Sequence, residues 1–292
     1  TNSFNQNIGS WDVSNGTTFR SMFNNAISFN QDISNWDVSS GNSFHGMFYQ
    51  AASFNQDISN WNVSAGNDFS YMLFGTNSFN QNIGSWNVSN GTTFKSMFNS
   101  AISFNQDISN WDVSSGADLS EMFYMASSFN QDISNWDVSS NRNFSYMLFG
   151  TNSFNQNIGS WDVSNGTTFK SMFNSASSFN QDISNWDVSS GVDLSEMFYK
   201  ASSFNQDISN WDVSSNTNFS YFLVDAISFN QDLRGWNVNS GVLFTNMFSG
   251  ATAMHTNYGV DDTPSKSYFN GTLSYFSISD LTIAEGDSGN IT

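Results

Sequence analysis

The sequence predicts an α/β fold, a right-handed solenoid of ten 25-residue units with one short parallel strand and one short helix in each unit. The tetrapeptide Ser-Phe-Asn-Gln recurs every 25 residues from Ser3 to Ser228, and each copy precedes first an alternating and then a helical apolar pattern. Because one such unit cannot bury its own apolar face, the units are expected to stack on their neighbours.

The predicted strand surrounds the tryptophan of each unit. In the unit that begins at Ser103, Trp111 and Val113 alternate with Asp112, which is the pattern of a half-buried strand. Ile108 lies three residues before Trp111, so the segment has the Leu-x-x-Leu-x-Leu spacing of a leucine-rich-repeat strand.

The predicted helix follows in the second half of the unit. Leu119, Met122, Phe123 and Ala126 lie at i, i+3, i+4 and i+7, which indicates one apolar helix face. A helix of barely two turns is unstable alone, so its stability is expected to come from stacking.

A longer period is superimposed on the 25-residue one. The segment Thr-Asn-Ser-Phe-Asn-Gln-Asn-Ile-Gly-Ser-Trp begins at Thr1, Thr76 and Thr151, so the duplicated block is 75 residues long. The first unit lacks a polar capping segment before Phe4, and exposed solenoid ends require a cap. We therefore expect preceding sequence or another chain to cover this face.

Composition limits the classes of partner. With 7 basic and 25 acidic residues the net charge is −18, which argues against nucleic acid because binding to phosphates requires Lys and Arg. Cysteine is absent, which excludes disulfides and thiolate zinc sites. No apolar run reaches about 18 residues, so we expect no transmembrane segment.

The consensus string Phe-Asn-Gln-Asp-Ile-Ser-Asn-Trp-Asp-Val-Ser, followed by Phe-x-x-Met-Phe-x-x-Ala, covers the chain from Ser3 to about Ala251. It resembles the 25- or 26-residue repeat of BspA-like leucine-rich-repeat surface proteins of bacteria. The resemblance implies an extracellular or cell-surface location, adhesin activity in some relatives, and no catalytic residues.

Three segments are expected. Residues 1–251 form the repeat solenoid, and residues 252–276, which include the single proline Pro264, form a cap and linker. Residues 277–292 combine a hydrophobic alternation with Glu-Gly-Asp-Ser-Gly and resemble the first strand of a Calx-beta-like β-sandwich domain. This resemblance implies a multidomain secreted or surface protein.

Each unit repeats an asparagine after its phenylalanine and a tryptophan in its predicted strand. The asparagine could belong to a ligand-binding stripe, but we favour an internal ladder in which each amide satisfies turn groups of its own and neighbouring units. The residues assigned to this structural ladder are Asn30, Asn55, Asn80, Asn105, Asn130, Trp36, Trp61, Trp86, Trp111 and Trp136.

An aspartate or asparagine stands between the tryptophan and valine of every unit. Neighbouring aspartates would lie roughly 5 Å apart and repel by about 1 kcal/mol. A structural Ca²⁺ could offset this repulsion, and so could Ser or Asn donors or partial protonation, which we favour because other units carry asparagine. The possible calcium ligands are Asp112, Asp137, Asp162, Asp187 and Asp212.

Aromatic residues recur with the 75-residue period in the predicted helices and form a candidate binding face for protein or glycan, or packing contacts between helices. They are Tyr71, Phe74, Tyr124, Tyr146, Phe149, Tyr199 and Tyr221.

Catalysis is not expected, because His45 and His255 lack a neighbouring acid and nucleophile in the sequence and no phosphate loop occurs.

We expect a non-enzymatic extracellular repeat module of a bacterial surface protein, with an adhesive or spacer role and no cofactor except possible structural Ca²⁺. Its partners would be protein or glycan at a cell surface, or copies of itself. The alternative is a filament- or matrix-forming structural protein that assembles end to end; paired threonines return only every third unit, too sparsely for ice binding.

Overall fold

The computed structural model of the chain describes residues 2–269. Residues 2–251 form consecutive 25-residue units that stack in register, so that each residue lies beside its counterpart in the next unit. Two helices follow the last unit, α1 (Thr252–Tyr258) and α2 (Lys266–Phe269). Residues 277–292, which were expected to begin a further domain, lie outside the described residues.

The predicted α/β solenoid, with one strand and one helix per leucine-rich-repeat-like unit, is wrong. Within residues 2–251 the structure contains turns and irregular backbone, and parallel pairing is limited to isolated single-residue bridges. These bridges run from Thr18↔Ser43 to Asn218↔Leu243, so they lie outside the segments expected as strands. No sheet is formed in this part of the chain.

The distribution of backbone hydrogen bonds explains why the apolar spacing from Leu119 to Ala126 does not produce a helix. The N–H of Glu121 donates to the carbonyl of Ser145 in the next unit at 2.9 Å, whereas the N–H of Met122 closes a turn to Leu119 at 3.2 Å. N–H groups alternate in this way between the next unit and the same unit throughout the stack. An α-helix would use all of these groups internally and leave none for the neighbour.

Two residues in every unit adopt a left-handed backbone conformation, which a right-handed helix cannot contain. In the fifth unit they are Glu121, with φ of 57°, and Met125, with φ of 56°. The complete set is Ser21, Asn25, Gly46, Gln50, Tyr71, Gly75, Ser96, Ser100, Glu121, Met125, Tyr146, Gly150, Ser171, Ser175, Glu196, Lys200, Tyr221, Asp225, Asn246 and Gly250. Because only four of these are glycine, composition alone does not reveal the conformation.

The apolar residues of successive units form continuous columns in the core. Phe54 and Phe79 stack with ring centroids 5.9 Å apart, and Trp86 and Trp111 stack at 6.3 Å with planes 3° apart. From the second unit onward these phenylalanines and tryptophans are buried. Burial of apolar area along the whole stack therefore stabilises each unit through its neighbours.

The segment after the repeats packs on the last unit. Met254 of α1 lies 25 residues after Phe229 and is fully buried. Phe269 of α2 stacks on Phe244 at 4.7 Å and on Trp236 at 6.1 Å. The aromatic core of the tenth unit is thus covered by α1 and α2.

Candidate functional site

The tryptophans join neighbouring units by a side-chain hydrogen bond as well as by packing. The indole Nε1 of Trp36 donates to the carbonyl of Ile8 at 3.1 Å, and Trp111 donates to Ile83 at 3.1 Å. Trp61, Trp86 and Trp136 make the equivalent bond. A buried indole N–H needs an acceptor, and the preceding unit supplies it.

The asparagines form a second column of contacts between units. Oδ1 of Asn30 accepts from the backbone N–H of Asn55 and from Nε2 of Gln56, both at 2.9 Å. The corresponding oxygens of Asn55, Asn80, Asn105 and Asn130 accept the same pair of bonds from their following units. Both lone pairs of each oxygen are therefore used inside the stack, which leaves little capacity for an external ligand.

The aspartates considered for calcium are exposed and close local turns. Oδ1 of Asp112 accepts from the N–H and the hydroxyl of Ser114, at 3.0 and 2.6 Å. The serine two residues on lowers the pKa of Asp137, Asp162 and Asp212, because its hydroxyl and its backbone N–H bind the charged carboxylate. Asp187 makes the same backbone contact with Ser189 at 3.0 Å.

A metal ion would need several convergent ligands. Among residues 2–269, no group of three or more His, Cys, Asp or Glu side chains is arranged to hold one. Ca²⁺ prefers six to eight oxygen ligands, whereas each of these aspartates turns Oδ1 toward its own serine.

The predicted aromatic residues form clusters on the outside of the turns. Tyr49 and Phe74 stack across adjacent units with centroids 4.5 Å apart, and Tyr71 lies 6.1 Å from Phe74. The arrangement is repeated 75 residues later by Tyr124, Tyr146 and Phe149, with centroid distances of 4.5, 6.1 and 6.2 Å. Each ring therefore has one part packed against a neighbour and another part exposed.

The third aromatic cluster is smaller. The ammonium of Lys200 lies 5.2 Å from the ring centroid of Tyr199, and Tyr221 is 39% exposed. Val224 stands where the earlier blocks have Phe74 and Phe149.

These clusters belong to a surface whose residues vary from unit to unit. We call it the turn surface and define it by the columns that contain Glu121, Tyr124 and Met125 in the fifth unit. From the first to the tenth unit, the Glu121 column reads Ser, Gly, Tyr, Ser, Glu, Tyr, Ser, Glu, Tyr, Asn. The tryptophan column, in contrast, is tryptophan in all ten units.

Two polar contacts, one beside the turn surface and one within it, were missed from the sequence. His45 Nδ1 lies 2.8 Å from the hydroxyl of Ser70 and 3.6 Å from Asp68 Oδ2, so this histidine does have an acid and a hydroxyl beside it. Both groups face the same ring nitrogen, whereas an acid–histidine–nucleophile relay uses the two nitrogens separately. The sequence could have revealed this contact, because His45 and Ser70 are 25 residues apart and therefore occupy equivalent positions in neighbouring units.

The second contact lies one block further on. Glu121 Oε2 accepts from Ser96 Oγ at 3.0 Å and from Asn99 Nδ2 at 3.2 Å. Ser96 and Asn99 are buried, so the carboxylate satisfies two donors that would otherwise lack water. Glu196 repeats the arrangement in the next block.

In the described part of the chain, no helix is long and apolar enough to cross a membrane.

A family profile described as "Mycoplasma protein of unknown function, DUF285" matches the chain three times, over residues 1–76, 67–159 and 185–277. No curated protein gives a significant match. The expected resemblances to BspA-like leucine-rich repeats and, over residues 277–292, to a Calx-beta-like domain are wrong in the light of these matches. The spacing Ile-x-x-Trp-x-Val misled because it records only which side chains are buried, and irregular backbone can bury them at the same spacing.

Proposed function

The chain belongs to the family described as Mycoplasma protein of unknown function, DUF285, and we propose that it is a non-enzymatic spacer with an adhesive surface in an extracellular or cell-surface protein. The core columns that contain Phe4, Trp11 and Val13 keep the same residue in all ten units, whereas the turn surface varies. This contrast between repeated core residues and a variable turn surface is the observation that carries the proposal.

The spacer role is supported by the contacts between units. Each junction combines backbone bonds, an indole bond and asparagine bonds, as between the fourth and fifth units at Trp111 and Asn105. A unit cannot leave the stack without breaking all of these together, so the contacts favour a rod that keeps its form under load. The net charge of −18 adds mutual repulsion between neighbouring molecules.

The adhesive role is supported by repetition of the turn surface. The three blocks place tyrosine at Tyr71, Tyr146 and Tyr221 in the same column. Rings that are partly packed and partly exposed suit contact with protein or with sugar rings. Three equivalent sites on one rod would bind a repetitive partner more tightly than one site does, because the later contacts become intramolecular.

The absence of catalysis is part of the proposal. The group formed by His45, Asp68 and Ser70 lacks the two-sided histidine geometry of a relay, as described above. A partner would therefore be bound by the turn surface and not converted chemically at this group.

The test compares two triple variants for retention on immobilised mucin and immobilised fibronectin. Tyr71→Ser, Tyr146→Ser and Tyr221→Ser introduce a residue already present in that column. Retention should fall by about tenfold or more, which corresponds to about 1.4 kcal/mol.

The matched control replaces the exposed Ile27, Ile102 and Ile227 by serine, which also occurs in their own column. Retention of this control should equal that of the unmodified chain. The adhesive part of the proposal fails if the tyrosine variant and the isoleucine control lose retention equally. It also fails if the unmodified chain is retained on neither mucin nor fibronectin. Mechanical unfolding of the unmodified chain tests the spacer part separately.

End-to-end filament assembly, the alternative function, would require free faces at both ends of the stack. An apolar hollow of about 350 Å³ at the first unit is lined by Phe4, Ile8, Trp11 and Phe23, and Trp11 is 54% exposed. The tenth unit is covered by α1 and α2. The cover that α1 and α2 form over the tenth unit therefore opposes head-to-tail assembly.

A further inference from the structure

An open hollow of about 470 Å³ lies on the turn surface across the second, third and fourth units. Gln50, Gly75 and Ser100 follow one another in one column of the turn surface and line one side of the hollow. Ala52 and Asn77 lie two residues further along the chain and line the other side. The volume is in the range of small-molecule sites, about 300 to 1,000 Å³.

Phe74 gives the hollow an aromatic wall. Its ring stacks on Tyr49 with centroids 4.5 Å apart and planes 11° apart, and the residue is only half-buried. The ring is therefore held in place while part of it stays exposed. The face of an aromatic ring is partly negative and attracts the apolar, weakly positive C–H groups on the face of a sugar ring. Phe74 thus offers a surface on which a sugar ring can stack.

The polar side chains beside this wall are amides and a hydroxyl. With its amide oriented so that the nitrogen meets acceptors, Asn77 donates to the carbonyls of Gly75 at 3.3 Å and Ser100 at 2.9 Å, and its oxygen remains available to accept. Gln50 is exposed, and its amide carries both donors and an acceptor. Sugar hydroxyl groups donate and accept at the same time, so amides of this kind are suitable partners for them.

The charge of the surroundings limits the class of ligand. None of the residues that line the hollow, all of which belong to the described part of the chain, is charged. Phosphates and carboxylates are bound in proteins chiefly through Arg and Lys. The net charge of −18 would in addition repel an anionic ligand. The hollow therefore suits a neutral ligand.

The equivalent surface 75 residues later differs by one large side chain. It keeps Phe149, Gly150 and Asn152, but Met125 stands in place of Gln50. A Cβ added at Gly150 would lie 2.5 Å from Sδ of Met125, so the thioether lies over this glycine. At the earlier glycine the nearest atom to an added Cβ is Cγ of Gln50 at 3.3 Å, and the next two are backbone atoms of the same residue. The side chain at this position therefore decides whether the glycine is covered.

We infer that the hollow binds a neutral carbohydrate, with one sugar ring stacked on Phe74 and hydroxyl groups bonded to the amides of Gln50 and Asn77. The inference names a ligand class for the adhesive surface and so rests on the adhesive part of the proposed function. Of the two equivalent places, the one beside Phe74 is open and the one beside Phe149 is covered by Met125.

The main experiment measures the binding of defined saccharides to the full chain by equilibrium dialysis, which gives both the affinity and the number of sites. The neutral probes are lactose, maltotriose, cellotriose and triacetylchitotriose, and sialyllactose is the anionic comparison. At least one neutral probe should bind at one site per chain. Sialyllactose should bind no more tightly than lactose.

Three variants test the position of the site with residues that the repeat already contains. Gln50→Met should cover Gly75 as Met125 covers Gly150, and should weaken binding at least tenfold. Phe74→Val introduces the residue found at the same position of the third block and should weaken binding as much, because the ring is lost. Met125→Gln should uncover the second place and raise the capacity from one site to two.

The matched control is Ile27→Ser. Ile27 borders the hollow but is an exposed residue with neither a ring nor a polar group, so serine there should leave the hollow open and the binding within about twofold. An equal loss of affinity in Ile27→Ser and Gln50→Met would overturn the assigned contacts.

The inference is also overturned if no neutral probe binds, if Gln50→Met and Phe74→Val bind like the unmodified chain, or if Met125→Gln adds no site. Thermal unfolding verifies that each variant is folded. If Phe74→Val does not fold, Gln50→Met decides the question, because Gln50 is exposed.

Failure here is distinguishable from failure of the proposed function. Tyrosine-dependent retention on mucin or fibronectin without saccharide binding would overturn the carbohydrate inference alone. The absence of both retention and saccharide binding would overturn the adhesive role as well.

Discussion

The indole nitrogen of Trp111 donates to the carbonyl of Ile83 in the preceding unit, 3.1 Å away. The same ring stacks on Trp86 at 6.3 Å and is buried. One side chain therefore contributes both apolar burial and a polar bond at the junction between two units.

Replacing Trp111 by alanine should lower the free energy of unfolding by about 3 to 5 kcal/mol, because a large cavity opens in the core. Trp111→Phe should cost less, about 1 to 3 kcal/mol, chiefly because the carbonyl of Ile83 loses its donor. Denaturant unfolding measures both. Trp11→Ala is the control, since Trp11 is largely exposed, and an equal loss there would contradict the assigned role.

Gly46→Ala should destabilise the stack by about 1 to 2 kcal/mol, because the backbone at this residue is left-handed. The nearest atom to an added Cβ is 3.6 Å away, so steric crowding adds nothing. Gly235→Ala is the matched control: nothing lies within 4 Å of its Cβ and its φ is not positive. Thermal unfolding of both variants distinguishes the effect of the left-handed backbone from the loss of glycine itself. Equal shifts of the two melting temperatures would contradict the prediction.

Acid should weaken the fold through the aspartate column. Hydrogen bonds from Ser39 hold the pKa of Asp37 below its ordinary value of 3.8, and serine acts in the same way on Asp137. A lowered folded-state pKa means that the stabilisation is complete above pH 3.8 and is lost as the pH falls through the lowered value.

The unfolding midpoint should therefore fall less steeply with decreasing pH in a triple variant that carries Asp37→Asn, Asp137→Asn and Asp162→Asn. Asparagine is compatible with the site, because Asn62 accepts the same bonds from Ser64 at 3.1 and 2.7 Å. An unchanged acid profile in the triple variant would show that other groups control acid unfolding.

Calcium should leave the melting temperature of the repeat stack unchanged. Asp112 already uses Oδ1 for Ser114, and residues 2–269 contain no convergent set of three acidic or histidine side chains. Thermal unfolding with excess calcium or with chelator measures this. A rise in melting temperature that disappears on Asp112→Asn would restore the calcium interpretation.

Alkaline pH should loosen the packing of α2. Burial raises the pKa of Tyr268 to about 12, with a smaller contribution from Asp232 that Arg234 opposes. A raised folded-state pKa means that stability is complete below pH 10 and is lost as the pH rises toward 12. Tyr268→Phe should remove this dependence in denaturant unfolding, and Tyr49→Phe should retain it. A profile unaffected by Tyr268→Phe would contradict the prediction.

Periodicity was sufficient to assign which residues meet across units. Asn105 and Asn130 belong to one column because they are 25 residues apart, and the structure joins them by a side-chain bond of 2.9 Å. The same rule brings His45 to Ser70, although the sequence-based interpretation treated that histidine as isolated. In a repeat protein, a residue lies beside its equivalents in the adjacent units as well as beside its neighbours along the chain.

The amino-acid sequence by itself determined the 25-residue period, the constant apolar positions and the acidic surface, because these depend only on which residue types recur. Tertiary structure decided the backbone between them. Leu119 and Ala126 have helical spacing, yet Glu121 between them is left-handed and gives its N–H to Ser145 of the next unit. Local spacing cannot reveal that choice, because the hydrogen bonds that outweigh a helix form only when a neighbouring unit is already in place.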